Sequence, residues 1–149
     1  MTNPTALKFG YPSTLLAETD RWMVLLRPAQ PSLGSLVLVC KDEAKAFSSI
    51  SAEAFADLEQ AVRRIEPALK AFMDYEKINY LMLMMVDPDV HFHVIPRYEG
   101  VRSFEGLEFP DAGWPGPPAL SQAVTPNEAV AAALVSRLRA LLARPGEGA

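Results

Sequence analysis

One stretch of the 149-residue chain decides how the fold is built, and it reads Asp89-Val90-His91-Phe92-His93-Val94-Ile95-Pro96-Arg97-Tyr98. In a β-strand alternate side chains share a face, so His91 and His93 point to one side and the apolar residues around them point to the other. These are the only two histidines in the sequence. Imidazole titrates near neutral pH, so the stretch predicts a rigid strand that carries two groups suited to chemistry.

Length and composition favour one globular domain, residues 1–149, with a substantial core, because half of the residues are hydrophobic. The net charge of −4 and the scattered arginines argue against a nucleic-acid partner. Cys40 is the only cysteine, which excludes an intrachain disulfide and fits a reducing compartment. The sequence has no leader-like segment and no run of roughly 20 apolar residues, so we expect a soluble cytoplasmic protein without a membrane partner.

Three short runs rich in Leu, Val and Trp predict strands over 13–17, 21–26 and 35–40, the first two forming a hairpin. Residues 51–74 then place apolar side chains at steps of three and four, as an amphipathic helix requires. Ser51 is a suitable N-cap for this helix, and Pro67 predicts a kink inside it.

The apolar run 78–86 predicts a central strand, joined by the turn Asp87-Pro88-Asp89 to the histidine strand as its antiparallel neighbour. Residues 13–98 form the core of the domain on this interpretation. Beyond them, 99–124 are rich in Gly and Pro and predict an ordered but irregular segment.

A terminal helix is predicted to begin with Thr125 as N-cap and Pro126 at its first position, and to end at Pro145-Gly146. Its predicted buried face consists of Val130, Leu134, Leu138, Leu141 and Leu142. The fold class is therefore α+β, with a mostly antiparallel sheet of about five strands packed against the 51–74 helix.

Three interpretations of the histidine pair stand at this point. Both imidazoles could simply pack or form hydrogen bonds on a half-solvated face. Asp89, His91 and His93 could bind a metal, but on a straight strand they span about 13 Å, too far for one ion without a bulge. Alternatively one histidine attacks phosphorus while the other, about 7 Å along the face, binds the phosphate or protonates the leaving group.

The stretch 89–98 resembles the signature strand of the histidine triad (HIT) family, in which His-x-His-x-His and two apolar residues are often followed by Pro-Arg. The order of the predicted elements is similar as well, and the tail resembles the fragile-histidine-triad branch, which contains dinucleoside polyphosphate hydrolases. The resemblance implies a HIT-like fold and nucleotide hydrolase or transferase chemistry. It assigns His91 as the nucleophile toward an α-phosphate and His93 as the residue beside that phosphate.

The resemblance also places residues at the substrate. Asp89 stands where the family has its first histidine, and Leu26, followed by Arg27, stands where many members carry an asparagine that binds the ribose. Arg97 could pair with a phosphate, or at a strand end it could be a solvated charge or the partner of a carboxylate. The polar loop that often touches the phosphates is here reduced to 86–89.

Two functions remain open at this stage. The first is a hydrolase for a dinucleoside polyphosphate or a nucleoside phosphoramidate, acting through a nucleotidyl-His91 intermediate. The second is a nucleotide-binding or interaction protein of the same fold with little or no turnover. By resemblance the chain is a homodimer. No tightly bound cofactor or protein-held metal is expected, although a magnesium ion could arrive with a polyphosphate substrate.

Overall fold

Five antiparallel strands form the main sheet of the computed structural model, which describes residues 3–143. In chain order the strands are β1 (Leu15–Glu18), β2 (Trp22–Leu26), β3 (Leu36–Cys40), β4 (Lys77–Leu81) and β5 (His91–Arg97). Their order across the sheet is β1-β2-β3-β5-β4. The predicted α+β class and the first three predicted strands are confirmed.

Helix α2 (Ala52–Met73) covers one face of this sheet. Ser51 caps it as predicted, since its hydroxyl accepts a hydrogen bond from the Ala54 backbone N–H at 3.0 Å. The helix continues through Pro67 as a single element, and the predicted kink stays a prediction. The Trp22 indole donates to the Ala54 carbonyl at 2.8 Å, which joins strand β2 to the start of this helix.

The strand predicted over 78–86 is shorter than expected, and its predicted central position is wrong. Strand β4 ends at Leu81 and lies at the edge of the sheet, where it pairs with β5 alone among residues 3–143. The following residues leave the sheet, and Met85 and Val86 are more than 80% exposed. Apolar composition in this run therefore did not indicate burial, because the chain turns away at Met84, which has a φ of 50°.

The segment predicted to be irregular contains a regular hairpin, formed by β6 (Val101–Phe104) and β7 (Leu107–Pro110). Glu105 and Gly106 connect the strands, and both have positive φ, the combination that a two-residue hairpin of type I′ requires. Phe104 packs against Phe72 of α2, so the hairpin rests on the helical side of the molecule. The high Gly and Pro content concealed this element.

Helix α3 (Glu128–Leu142) begins later than predicted, because Asn127 rather than Thr125 is its N-cap. The Asn127 side chain accepts from the Val130 N–H at 2.9 Å. Leu134, Leu138 and Leu142 are buried as expected, whereas Leu141 is exposed. The predicted end at Pro145-Gly146 lies outside the described residues.

A short helix that the sequence did not predict, α1 (Pro4–Lys8), packs with the following loop on the face of the sheet opposite α2. Ala6 and Phe9 meet Leu25 and Val37 there in a second, smaller apolar cluster. Residues 3–9 are called the N-terminal segment below. Within residues 3–143, no helix combines the length and apolar character that a membrane crossing needs.

Candidate active site

His91 and His93 both lie on the sheet face that α1 covers, as the strand periodicity predicts. In the antiparallel register His93 is opposite Val37 and His91 is opposite Val39. Val37 and Val39 belong to the smaller apolar cluster, which fixes the face on which the imidazoles lie. The ring centroids are 5.3 Å apart in an edge-to-face arrangement. The structure thus brings the two predicted catalytic residues together in an apolar setting.

The ring of His91 is oriented by the backbone just before its strand. Its Nδ1 lies 2.7 Å from the backbone carbonyl oxygen of Asp89. A carbonyl oxygen can only accept, so Nδ1 carries the hydrogen and the lone pair resides on Nε2. In the neutral ring, this tautomer leaves Nε2 as the nitrogen of His91 that has an available lone pair.

His93 is held in its neutral form. Burial, followed by the positive charge of Arg27 and by His91, lowers its pKa from 6.5 to about 4. Asp87 acts in the opposite direction, and Lys8 adds to the lowering. Its Nδ1 is buried and has no hydrogen-bond partner among residues 3–143.

Asp89 does not face the histidines as a metal or phosphate ligand would. Its Oδ2 accepts from the Thr5 backbone N–H at 3.1 Å, and its own N–H donates to the Thr5 hydroxyl at 3.0 Å. Its Oδ1 accepts from Lys45 at 3.2 Å. The carboxylate therefore binds the N-terminal segment and Lys45, and its predicted contact with substrate stays a prediction.

The N-terminal segment covers both histidines. Phe9 meets the ring of His93 edge-on at 5.8 Å and lies 6.3 Å from that of His91. Lys8 forms an ion pair with Asp87 at 2.8 Å, a second link between this segment and the loop before β5. Only 2% of His91 and 7% of His93 are exposed.

Arg97 forms its polar contacts within the fold. Of the roles that the sequence left open, the structure shows the partner of a carboxylate. It forms a bidentate ion pair with Asp111, at 2.7 and 3.1 Å, in which both side chains are buried. It also donates to the Asn79 amide oxygen and to the Gly116 carbonyl, each at 2.8 Å. The predicted phosphate contact is not supported, because these four bonds occupy most of its donors.

Leu26 and Arg27, adjacent in sequence, lie on opposite sides of the sheet. Leu26 is 1% exposed and belongs to the core beneath α2, and its predicted contact with substrate stays a prediction. Arg27 follows Leu25 on the histidine face, and its charge acts on His93. Sequence reasoning had placed both side chains at the substrate, but strand alternation permits only one of two neighbours to lie there.

Residues of the N-terminal segment were missed at the sequence level. Thr5, Lys8 and Phe9 are far from 89–93 along the chain, and a five-residue helix gives no usable periodicity.

Cys40 is buried, and burial raises the pKa of its thiol, which disfavours a nucleophilic thiolate. No three His, Cys, Asp or Glu side chains within 3–143 are grouped to hold a metal ion.

Comparison with known proteins identifies the family. The model of the HIT domain matches residues 9–100, which is more than half of the chain and includes both histidines. The chain therefore belongs to the HIT domain family. No curated protein matches the sequence.

Solved structures share the fold at low sequence identity. A HIT protein from Sinorhizobium meliloti 1021 has a TM-score of 0.72 at 21% identity, covering 93% of each chain. A histidine triad protein from Marinobacter aquaeolei VT8 has a TM-score of 0.69 at 23% identity, covering 86% of this chain and 87% of that one. A histidine triad nucleotide-binding protein from Sulfolobus tokodaii has a TM-score of 0.67 at 16% identity, covering 93% and 89%.

The lowered pKa of His93 predicts that acid destabilises the fold. At pH 7 this imidazole is neutral in the folded chain and mostly neutral in the unfolded chain. Below pH 6.5 the unfolded chain takes up a proton that folded His93 does not bind until about pH 4, so stability falls across this window, by about 3 kcal/mol. Urea unfolding at pH 7 and pH 4 should show a smaller acid-induced loss for His93→Gln than for the wild type. Equal losses would contradict the prediction.

The bonds of Asp89 predict a structural effect of its removal. Asp89→Ala should lower the free energy of unfolding by about 1–3 kcal/mol, because the buried Thr5 N–H loses its acceptor. Asp87→Ala is the matched control, since it breaks only the link to the half-exposed Lys8 and should cost less than about 1 kcal/mol. Chemical denaturation measures both, and a cost for Asp89→Ala no larger than that for Asp87→Ala would refute this role.

Proposed function

We propose that this HIT-family protein is a nucleotide hydrolase or transferase that acts at the α-phosphate of a nucleotide through a covalent intermediate on His91. The observation that carries the proposal is the bond from His91 Nδ1 to the Asp89 carbonyl oxygen, which directs the Nε2 lone pair away from the strand. HIT proteins generally bind nucleotides and hydrolyse or transfer nucleotidyl groups, and the family match supports this class of chemistry.

The proposed reaction has two displacements at phosphorus. In the first, His91 Nε2 attacks the α-phosphorus, a P–N bond forms, and the bond to the leaving group breaks with its electron pair. In the second, water attacks the same phosphorus, the P–N bond breaks, and Nε2 recovers its lone pair while the proton of the water passes to solvent. Nδ1 keeps its hydrogen on the Asp89 carbonyl throughout.

The state of His93 favours one of the two substrate classes expected from the sequence. A phosphate leaving group departs as a stable anion, whereas an amine leaving group must receive a proton. With a pKa of about 4, His93 is the neutral imidazole at neutral pH in the unliganded site, so it lacks the acidic second N–H that would protonate a leaving group. A dinucleoside polyphosphate therefore suits this site better than a phosphoramidate.

The covered histidine face favours a second candidate, a nucleotide-binding or interaction protein with weak turnover. Substrate reaches His91 only if Phe9 and its neighbours move, because 2% of that side chain is exposed. Asp89 and Asp87 each link the N-terminal segment to the loop before β5 and oppose this movement. In the second candidate the segment stays closed over the histidines.

Intact-protein mass spectrometry after brief exposure to adenine and guanine dinucleoside polyphosphates and phosphoramidates tests the proposal. We expect product and a mass increase of one nucleotidyl group on the wild type, with the polyphosphates reacting faster. His91→Ala should form neither adduct nor product, because it removes the nucleophile.

Tight nucleotide binding without product or adduct would overturn the hydrolase proposal and favour the binding protein. Asp89→His separates the two further. A large gain in turnover would indicate a weakened active site restored by the missing histidine. Because the change also removes the acceptor of the buried Thr5 N–H, turnover is compared at a temperature at which both proteins are fully folded. No gain, or a loss, would then indicate that Asp89 belongs to a working variant of the site.

We also propose that two copies of the chain pair through the free edge of β4 and the exposed surface of α2. Strand β4 has one free edge within residues 3–143, and Phe55 on α2 is 44% exposed. Size measurement at micromolar concentration should give twice the monomer mass of 16.3 kDa. Phe55→Glu should give the monomer, since it places a charge on this surface, and a monomeric wild type would refute the dimer.

A further inference from the structure

The N-terminal segment, residues 3–9, precedes the first strand of the sheet and closes the histidine face. Phe9 contacts both imidazoles, with its ring centroid 5.8 Å from that of His93 and 6.3 Å from that of His91. An attacking nitrogen must come within about 3.5 Å of phosphorus, and a phosphate group cannot approach His91 so closely while that residue is 2% exposed. Access to the nucleophile therefore depends on where this segment lies.

The segment keeps its shape only while it rests on the sheet. Its helix, α1, has five residues, and a helix this short is not stable in isolation. Ala6 and Phe9 supply its apolar contacts, to a cluster that is much smaller than the core beneath α2. When the segment leaves the sheet its helix is lost as well, so it has two states, docked and released, rather than a continuous range of positions.

Few polar contacts dock the segment. Thr5 exchanges two hydrogen bonds with Asp89, at 3.0 and 3.1 Å, and these are buried. Lys8 pairs with Asp87 at 2.8 Å, but its side chain is 52% exposed, and an ion pair so open to water stabilises little. The Asn3 amide donates to a carbonyl at the end of β3 at 3.2 Å. The link between Thr5 and Asp89 is therefore the main polar restraint on release.

The packing beside this link is incomplete. A cavity of about 230 Å³, open to solvent, lies where the segment meets the end of β3. Its lining includes Asn3 of the segment, Met23 of the sheet, and Asp89. The segment thus lacks packing partners on one side, and regions with few packed neighbours open locally at low cost in free energy.

The chain can pivot directly after the segment. Gly10 has a φ of 92°, in the left-handed region that glycine adopts without strain. Beyond it, the Thr14 hydroxyl donates to the Phe9 carbonyl at 2.7 Å, and the Thr14 carbonyl accepts from the Leu26 N–H at 2.9 Å. These bonds tie the following turn to β2, so the segment can swing away while β1 and β2 stay paired.

We propose that residues 3–9 form an autoinhibitory cover that alternates between this docked state and a released state, and that a nucleotide competes with Phe9 for the histidine face. The apparent affinity for the nucleotide is then reduced by the fraction of molecules in which the cover is docked. The inference rests on the proposed function for the identity of the ligand, whereas the cover itself can be tested without a nucleotide.

The reaction of diethyl pyrocarbonate with imidazole measures the cover directly, because the absorbance of the modified ring reports the only two histidines in the chain. In the wild type they should react at least roughly tenfold more slowly than N-acetylhistidine, since the reagent reaches them only in the released state. Phe9→Ala should raise the rate roughly tenfold, because it favours release. Leu7→Ala, on the 48% exposed side of the same helix, is the matched control and should react as the wild type does.

A second variant separates loss of the cover from loss of folding. Phe9→Leu keeps an apolar contact with the sheet and should react at a rate between those of the wild type and Phe9→Ala. Amide hydrogen exchange in β5, which pairs with both β3 and β4, should be the same in all of these proteins.

Amide hydrogen exchange at Thr5 shows whether a nucleotide displaces the cover. This N–H is buried and bonded to Asp89, so it exchanges only after release. A ligand that binds beneath a docked cover slows its exchange, whereas a ligand that competes with the cover accelerates it. We expect saturating AMP to accelerate Thr5 exchange roughly tenfold or more, and Phe9→Ala to bind AMP roughly tenfold more tightly than the wild type.

The inference would be overturned by wild-type imidazoles that react as fast as N-acetylhistidine, or by equal rates in the wild type and Phe9→Ala. Slower Thr5 exchange with AMP bound, or weaker AMP binding by Phe9→Ala, would also overturn it, since Phe9 would then assist the ligand.

These outcomes are separable from catalysis. Histidines uncovered by Phe9→Ala, found together with no nucleotidyl-His91 adduct in either protein, would uphold the cover and reject the hydrolase. An adduct that the wild type forms as fast as Phe9→Ala would support the hydrolase and overturn the cover.

Discussion

The position of β5 between β3 and β4 is the constraint on which the rest of the structure depends. Hydrogen bonds to both neighbours fix the register of β5. Its successive side chains therefore lie on opposite faces of the sheet in a defined order. Phe92 and Val94 join the core beneath α2, while His91 and His93 are turned to the other face. A shift of one residue would bury the imidazoles under the helix. The pairing of β5 with β3 and β4 therefore determines both the packing of the core and the face on which the histidines lie.

The histidine face is assembled from parts that are distant in sequence and differ in rigidity. Gln30 and strand β5 hold Arg27 and the histidines in a rigid frame. The N-terminal segment, by contrast, is attached through a few polar links to 87–89 and through Phe9. The histidines therefore lie in a rigid framework, while the segment that covers them is held by fewer contacts and can move more easily.

Much of this arrangement was accessible from the sequence, and the exceptions have physical causes. Alternation in 90–96 correctly predicted that the histidines share a face, and apolar spacing located α2, because both signals come from continuous local patterns. The edge position of β4 was missed because exposed Met85 and Val86 resemble core residues in composition. The N-terminal cover was missed, and the partner of Arg97 was not identified, because both depend on contacts that are not local in the sequence. Arg27 lay within the predicted set, but only the sheet register separated it from Leu26.

The reciprocal bonds between Asp89 and Thr5 have a consequence for how this chain can change over time. Asp89 holds the N-terminal segment against the strand that carries the histidines. Replacing it with a residue that has no acceptor would leave the buried Thr5 N–H unpaired. Selection for stability alone is then enough to retain an acceptor at position 89. A change of this residue requires a compensating change near Thr5, so the position is hard to alter in a single step.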